Sequence, residues 1–385
     1  MNILLLTKGK YPNQNAAAIR HSTIAQGIVE EGNNVDFFVL GQQDWSRKLI
    51  SYNGVSYTAI WFYKGKNKIL RKISRIIEVK FFNYKLKNII SKKSYNAIIC
   101  YAIDLSIIKM SLKLAKENKI PIFHERTELP SVIGNTSKNR KILKVYMEKY
   151  IPEFSGLFLI SDKLIQFFKP YNRNCRKITV PVDVKFFSNK RKSPYKFKYI
   201  AYCGAMDVRK DGTPILIKSF SLLLKDFPEL KLVLVGDNNK TRIIETIQAI
   251  EEEDVQMNII FTGIIEREKM PIYLGNAELL VVPKPNNEQN SGNFPNKLGE
   301  YMASGVPVVT TKVGEISLFI KDGYNGFLAE PNSVDSFYMK MKEALNSPQK
   351  TDIGLRGKDT ALKEFDYLKL SRIVTDEIKK TIEIK

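Results

Sequence analysis

The sequence predicts an α/β protein of two domains, each a doubly wound parallel sheet with helices on both faces. Three observations predict it. The chain has 385 residues, 44% of them hydrophobic, more than one ordinary core accommodates. Short apolar runs alternate with amphipathic stretches in both halves, the pattern of strands joined by crossover helices. A polar, basic stretch from Lys185 to Lys198, with Ser188, Asn189, Ser193 and Pro194, divides the halves and reads as a linker.

In the first half the apolar runs predict strands at Ile3–Thr7, Val35–Leu40, Asn96–Tyr101, Ile120–His124, Leu157–Ser161 and Ile178–Val182. Helices are predicted at Ala17–Glu31, which Gly32-Asn-Asn34 would end, and at Leu105–Glu117, Tyr146–Glu153 and Asp162–Phe168. In the second half strands are predicted at Tyr199–Cys203, Lys231–Val235, Asn258–Thr262, Leu279–Val282 and Val308–Thr311, the last closing the sheet. Helices fall at Pro214–Asp226, Thr241–Glu252, Lys269–Leu274 and Pro295–Ser304, and a final one at Asp366–Ile384. Gly204, Gly236, Gly263 and Pro283 each follow or end a strand run. Ligands of doubly wound sheets sit at the carboxyl ends of strands, so these four loops should converge on one crevice.

Composition narrows the function. No apolar run approaches the roughly 20 residues of a membrane span, and the N-terminal apolar stretch, Ile3–Leu6, is too short for a signal core. Three cysteines in no C-x-x-C spacing, with only His21 and His124, argue against structural zinc and for a reducing cytoplasm; Cys100 and Cys203 read as inert core residues. The formal charge is +21, concentrated in Lys64–Lys93, where eleven basic residues meet one acidic residue, Glu78, among interleaved apolar ones. That segment reads either as a solvated helix face or as a contact with an anionic membrane surface. No nucleic-acid recognition motif accompanies the charge.

The most informative stretch is Glu288–Thr311. Pro295 suits the first position of a helix and Gly305 the residue past its end. The polar loop ahead of it, Asn290–Asn293, and the helix N-terminus together suit an anion. Lys297 in the first turn opposes the helix dipole at a cost of roughly 0.3–1 kcal/mol, which a bound anion would reverse. Glu300, three residues on, shares its face and could accept hydrogen bonds from two vicinal hydroxyls; a surface Lys–Glu pair is the bland alternative. A second stretch, Tyr202–Gly212, ends a strand at Gly204 and carries Arg209 and Lys210, which could reach a diphosphate or could be solvated cations. Neither a G-x-G-x-x-G fingerprint nor a P-loop occurs.

These stretches, with Leu234-Val-Gly-Asp237, Phe261-Thr-Gly263, Ala277–Pro283, Asp322–Leu328 and Val182-Asp183…Phe186, resemble in order and spacing the family 4 retaining glycosyltransferases of the GT-B fold. The resemblance covers nearly the whole length, with Phe294–Val309 as its strongest marker. It implies two Rossmann-like domains facing a cleft: an acceptor-side domain over residues 1–190, with a helix near 366–385 packing back on it, and a donor-binding domain over 195–365. It implies that Glu300 holds a donor ribose, that Lys210 binds phosphate, that the backbone after Gly263 faces the base and that His124 stands near the transferring sugar. The expected donor site comprises Gly204, Arg209, Lys210, Gly263, Ser291, Gly292, Asn293, Phe294, Lys297 and Glu300, with Ala16 and Ala17 as the first domain's phosphate-side loop.

The sequence departs from the family pattern at three places. Gly292 stands where its first glutamate would fall, Ala205 where an arginine would, and Ala16-Ala17 replace a glycine pair. Contacts to the sugar would then come from Glu288, Gln289, Asn293 or backbone, and the arginine's charge from Lys297 or Arg209. The implied reaction is metal-independent transfer from a nucleotide diphosphate sugar to a glycan or lipid-linked acceptor, in surface polysaccharide biosynthesis. No cofactor is expected, and the place is cytoplasmic, peripheral at the inner membrane face through Lys64–Lys93. A catalytically degenerate donor-binding scaffold and a nucleotide-sugar 2-epimerase are the alternatives.

Overall fold

The computed structural model describes residues 1–12, 15–41, 50–60, 67–130, 136–188, 192–236 and 253–384. The chain forms two compact units, one of residues 1–179 with 367–385 and one of residues 180–366.

The first unit holds an eight-stranded sheet: β1 (Asn2–Lys8), β2 (Asn34–Leu40), β3 (Ile50–Tyr52), β4 (Val55–Ile60), β5 (Ala97–Cys100), β6 (Ile122–Arg126), β7 (Gly156–Leu159) and β8 (Cys175–Lys177), in the order β3-β4-β2-β1-β5-β6-β7-β8. All pairs are parallel except β3 with β4. β1 lies between β2 and β5, so the winding reverses beside it. Its run Ile3–Leu6 is buried on both faces, as a central parallel strand requires. The β3–β4 hairpin was not among the expected elements. It turns on Asn53-Gly54, both at positive φ, the turn whose twist matches paired strands.

Two further differences have local causes. The strand expected at Ile178–Val182 falls at Cys175–Lys177 instead. The carbonyls of Ile178 and Thr179 accept hydrogen bonds from the Arg20 guanidinium, and Pro181 has no N–H to give. Val182 makes only an isolated bridge, to Asp366. The Ser137–Val145 helix, which was not expected, runs on into a π-turn, Tyr146–Tyr150, and a 3-10 turn, Ile151–Glu153, across the helix expected at Tyr146–Glu153.

The C-terminal helix, Tyr367–Glu383, packs on Ala16–Glu30. Contact is so close that a Cβ on Gly27 would lie 2.3 Å from Ser371 Oγ. Leu370, Val374 and Ile378 join Ile24, Ala25 and Ile28 in the core of this unit.

The second unit holds six parallel strands: β9 (Tyr199–Cys203), β10 (Lys231–Val235), β11 (Ile259–Gly263), β12 (Leu279–Val282), β13 (Val308–Thr311) and β14 (Phe327–Ala329), in the order β11-β10-β9-β12-β13-β14. Here the winding reverses between β9 and β12. Val308–Thr311 does not close the sheet, because β14 pairs with it. Only three residues long, β14 carries too little pattern to read. The helix expected at Thr241–Glu252 lies outside the described residues. The polar stretch from Lys185 begins inside a helix, Val184–Ser188, whose Val184 and Phe187 are buried.

Candidate functional site

The second sheet brings its carboxyl-end loops together. Gly204 N–H donates to Val235 O, and Gly236 N–H to Gly263 O. A Cβ on Gly236 would lie 2.0 Å from Gly204 O, and one on Gly212 would lie 2.1 Å from Pro283 O. The loops after β9, β10, β11 and β12 thus form one surface, as expected of a doubly wound sheet.

Charge gathers where the winding reverses. Asp207 caps the short Val208–Asp211 helix, its carboxylate accepting from the N–H groups of Arg209 and Lys210 at 3.0 Å each. Gly212, at φ 65°, ends that helix and seats Asp211 inward. Asp211 Oδ1 lies 2.8 Å from Lys297 Nζ and 3.7 Å from Lys284 Nζ, with all three side chains largely buried. Lys297 also donates to Tyr202 Oη at 2.8 Å. A Cβ on Gly204 would lie 2.3 Å from that ammonium, so glycine gives the lysine its place.

Burial would raise the Asp211 pKa, but Lys297 and then Lys284 outweigh it and hold the carboxyl down at about 2. Burial pushes the Lys284 ammonium down to about 8, against the pull of Asp211. Two ammonium groups therefore share one carboxylate, and the cluster carries an excess positive charge at neutral pH. The anion expected beside Lys297 is in this structure the chain's own Asp211. Pro295 is the cap residue rather than the first helical one, so the helix begins at Asn296.

Glu300, one turn on, pairs through Oε1 with Arg267 Nη1 at 2.8 Å. Arg267 in turn lies over the Phe187 ring at 5.1 Å. Lys297 and Glu300 do share a helix face, but each has its own partner, and they do not pair with each other among the described residues.

Arg209 and Lys210 meet the Glu288–Gly292 turn through backbone. Asn287 Nδ2 donates to Arg209 O at 2.8 Å, and Asn290 Nδ2 to Lys210 O at 3.3 Å. Ser291 Oγ donates to Glu288 O, Gly292 ends the short Glu288–Ser291 helix, and Asn293 N–H donates to Asn290 O. Phe294 departs from expectation: its side chain is buried against Phe319 and Phe365, with ring centroids 5.1 and 5.2 Å away, so it is core. Gly263, at φ 71°, has open space where a Cβ would stand.

In the first unit His124 is corrected. It is fully buried, and both ring nitrogens are taken, Nδ1 by Cys100 O at 2.6 Å and Nε2 by Tyr146 Oη at 2.8 Å. The pairing fixes the tautomer: Nδ1–H donates to the carbonyl and Nε2 accepts from the phenol. Burial first, and the Arg126 charge second, lower its pKa to about 3, so it is neutral and structural.

What faces the cavity from the same strand is Glu125, with Arg126 at the strand's end. A cavity of about 600 Å³ opens at the carboxyl ends of β1, β5 and β6, lined by Thr7, Tyr11, His21, Tyr101, Glu125 and Arg126 among others. Ala16 and Ala17 stand exposed in the first turn of Ala16–Glu30, and Ala17 reaches this cavity. Glu125 receives Arg20 at 2.9 Å and His21 Nε2 at 2.8 Å. His21 Nδ1 meets Tyr11 Oη at 2.6 Å, and that hydroxyl meets Thr7 Oγ1 at 2.7 Å. Burial would raise Glu125, but Arg20 and His21 bring it down to about 2.

Strand alternation could have signalled this site, since His124 and Glu125 must point to opposite faces of β6. Lys284 had a weaker signal, a cation wedged in Pro283-Lys-Pro285 directly after an apolar strand.

Residues 197–347 match the family model described as glycosyl transferases group 1. The chain is similar to an uncharacterised glycosyltransferase of Methanocaldococcus jannaschii, 26% identical over 336 residues that cover 84% of this chain and 88% of the relative. It is also similar to the lipopolysaccharide 1,2-N-acetylglucosaminetransferase of Salmonella typhimurium, 26% identical over 186 residues, 47% of this chain and 48% of that one. Among solved structures, Anabaena HepE in complex with UDP matches with a TM-score of 0.73 at 14% identity, covering 99% of this chain and 100% of that one. The architecture is therefore GT-B, two parallel-sheet α/β domains.

Proposed function

We propose that the chain, whose residues 197–347 match the family model of glycosyl transferases group 1, is a glycosyltransferase that binds a nucleoside diphosphate sugar at the carboxyl edge of its second sheet. The sugar passes, with retained configuration, to a glycan or lipid-linked acceptor. The observation that carries this reading is the Lys297–Asp211–Lys284 cluster, whose excess positive charge is fixed beside Gly204 at the reversal of winding.

The departing diphosphate gains negative charge as the glycosidic bond breaks. Preorganised cations in a poorly hydrated pocket stabilise that charge more than they would in water. Lys297 and Lys284 supply it here, with Lys210 nearby, and the reading assigns no step to a metal. Glu300, with only Oε1 engaged by Arg267 among the described residues, keeps Oε2 for a ribose hydroxyl. The UDP bound by the Anabaena neighbour supports a nucleotide donor. The Salmonella relative's name supports a glycan acceptor.

Titration with UDP, GDP and ADP, followed by nucleotide release from their sugars in the presence of a chelator, tests the reading. Saturable binding and acceptor-dependent release are expected. Tight nucleotide binding without turnover on any donor would favour the scaffold reading instead, which Gly292 and the buried His124 keep open.

The same proposal includes a peripheral membrane contact. The basic segment is a helix, Lys68–Lys92, whose residues Ile76, Ile77, Phe81 and Tyr84 are exposed beside Lys80 and Lys87. No helix among the described residues is long and apolar enough to cross a membrane. Apolar area with interleaved lysines suits an anionic interface. Cosedimentation with phosphatidylglycerol vesicles, lost when Lys80, Lys85, Lys87 and Lys92 become glutamate, is expected; undiminished binding at low salt would refute it.

A further inference from the structure

Arg126, the last residue of β6, is 6% exposed. Its Nε is buried without a hydrogen-bond partner, and Nη2 makes one long bond, 3.3 Å to Glu128 O. No carboxylate among the described residues forms an ion pair with it. Arg20 shows the contrast, with its guanidinium on Glu125 and on the carbonyls of Ile178 and Thr179. The Arg126 guanidinium lies over the Tyr146 ring at 5.7 Å, but a buried cation whose Nε stays unbonded is costly unless something completes it.

Arg126 also stands where two cavities meet. One is the 600 Å³ cavity already described; the other, of about 280 Å³, is lined by Ile103, Leu105, Ile142, Leu143 and Tyr146 beside Asp104 and Arg126. Ile103 is 63% exposed and Ile142 38%, so this wall presents apolar surface to solvent. Asp104 is held by Lys8 at 3.1 Å and by the Ser106 N–H it caps, which tempers its repulsion of an anion.

We infer that Arg126 is an anion subsite of the first unit, which receives the phosphate of a phosphate ester. The ester's polar body lies in the larger cavity and its apolar part along Ile103, Ile142 and Leu143. Two phosphate oxygens can accept from Nε and Nη2 together, a pairing that lysine cannot reproduce. The inference rests on the first unit being the acceptor side and identifies the acceptor as a phosphate ester. The phosphate belongs either to a hydrocarbon chain or to a soluble sugar phosphate.

The test titrates full-length protein with monomeric dodecyl phosphate and, separately, with glucose 6-phosphate. It uses the Lys297→Met background, so that the second unit's cluster contributes little. Saturable binding is expected, weakened about tenfold or more by Arg126→Met and by a smaller factor by Arg126→Lys. Tighter binding of dodecyl phosphate, reduced by Ile142→Glu, indicates the hydrocarbon source; equal binding of both indicates the soluble one. UDP affinity, read on the otherwise wild-type chain, stays unchanged in Arg126→Met, which separates this inference from the donor-site proposal. Folded Arg126→Met and Arg126→Lys proteins that bind both phosphates as the parent does would overturn it. If Arg126→Met does not fold, Arg126→Lys alone decides by the same criterion.

Discussion

Both units gather ionisable side chains at the carboxyl edge of a sheet where its winding reverses, yet they balance charge in opposite ways. In the first, one carboxylate, Glu125, is enclosed by Arg20 and His21, and the chain Thr7–Tyr11–His21 satisfies what remains. In the second, one carboxylate, Asp211, is divided between two lysines. The first network neutralises its carboxylate from within the chain and holds the fold together. The second carries surplus charge and is suited to attract an anion. Buried ion clusters at equivalent places in similar sheets therefore need not do similar work; the ratio of charges separates them.

The largest expected effect breaks the first network. Arg20→Met should cost about 3–5 kcal/mol in urea denaturation, because it leaves Glu125 buried with only His21 beside it. Arg20→Met with Glu125→Leu should recover much of that loss. A small cost for the single change would mean that His21 alone balances the carboxylate.

Next comes the second cluster. Lys297→Met should raise the UDP dissociation constant by roughly tenfold to a hundredfold in calorimetry, in line with about 1.5–3 kcal/mol for a charged hydrogen bond. Its stability should change less, since Lys284 still faces Asp211. An unchanged affinity would remove the cluster from the donor site.

Acidity sharpens the comparison. Against the effect of burial, Arg20 and His21 hold the Glu125 carboxyl down at about 2 in the fold, below its ordinary 4.5. Its stabilising contribution is therefore full above about pH 4.5 and is lost as pH falls toward 2. Lys284 works at the other end of the scale. Its ammonium, at about 8, must stay protonated to hold a diphosphate, so UDP affinity should fall as pH rises from 7 to 9. Lys284→Met should flatten that profile; a slope that persists in the variant would assign the titration to another group.

The smallest effect on turnover is expected at His124. His124→Gln should cost about 1–3 kcal/mol of stability, from two lost buried hydrogen bonds, and leave kcat within about twofold. A large kcat loss in a folded variant would restore the histidine to the reaction.

Much of the framework was legible in the sequence because it is written in local pattern. The strands Tyr199–Cys203, Lys231–Val235, Leu279–Val282 and Val308–Thr311, and the helix Leu105–Glu117, fall where their apolar runs and caps put them. The Asn53-Gly54 hairpin also had a local signal, although β3 and β4 went unread. The pairings that decide the site are not local. Arg20 and Glu125 stand 105 residues apart, and Asp211 and Lys297 86 apart, so only the folded sheets bring them together. The misreading of His124 has the same origin, because a strand's period of two assigns faces without saying which one meets the cavity.

The close seat of Ser371 on Gly27 bears on how the molecule is made. A ribosome delivers the residues of the second unit before it delivers Leu370, Val374 and Ile378. Ile24 and Ile28 must wait for that segment to cover them. The unit begun first is thus finished only after the second has been delivered, and the newborn chain carries an uncovered helical stripe until then.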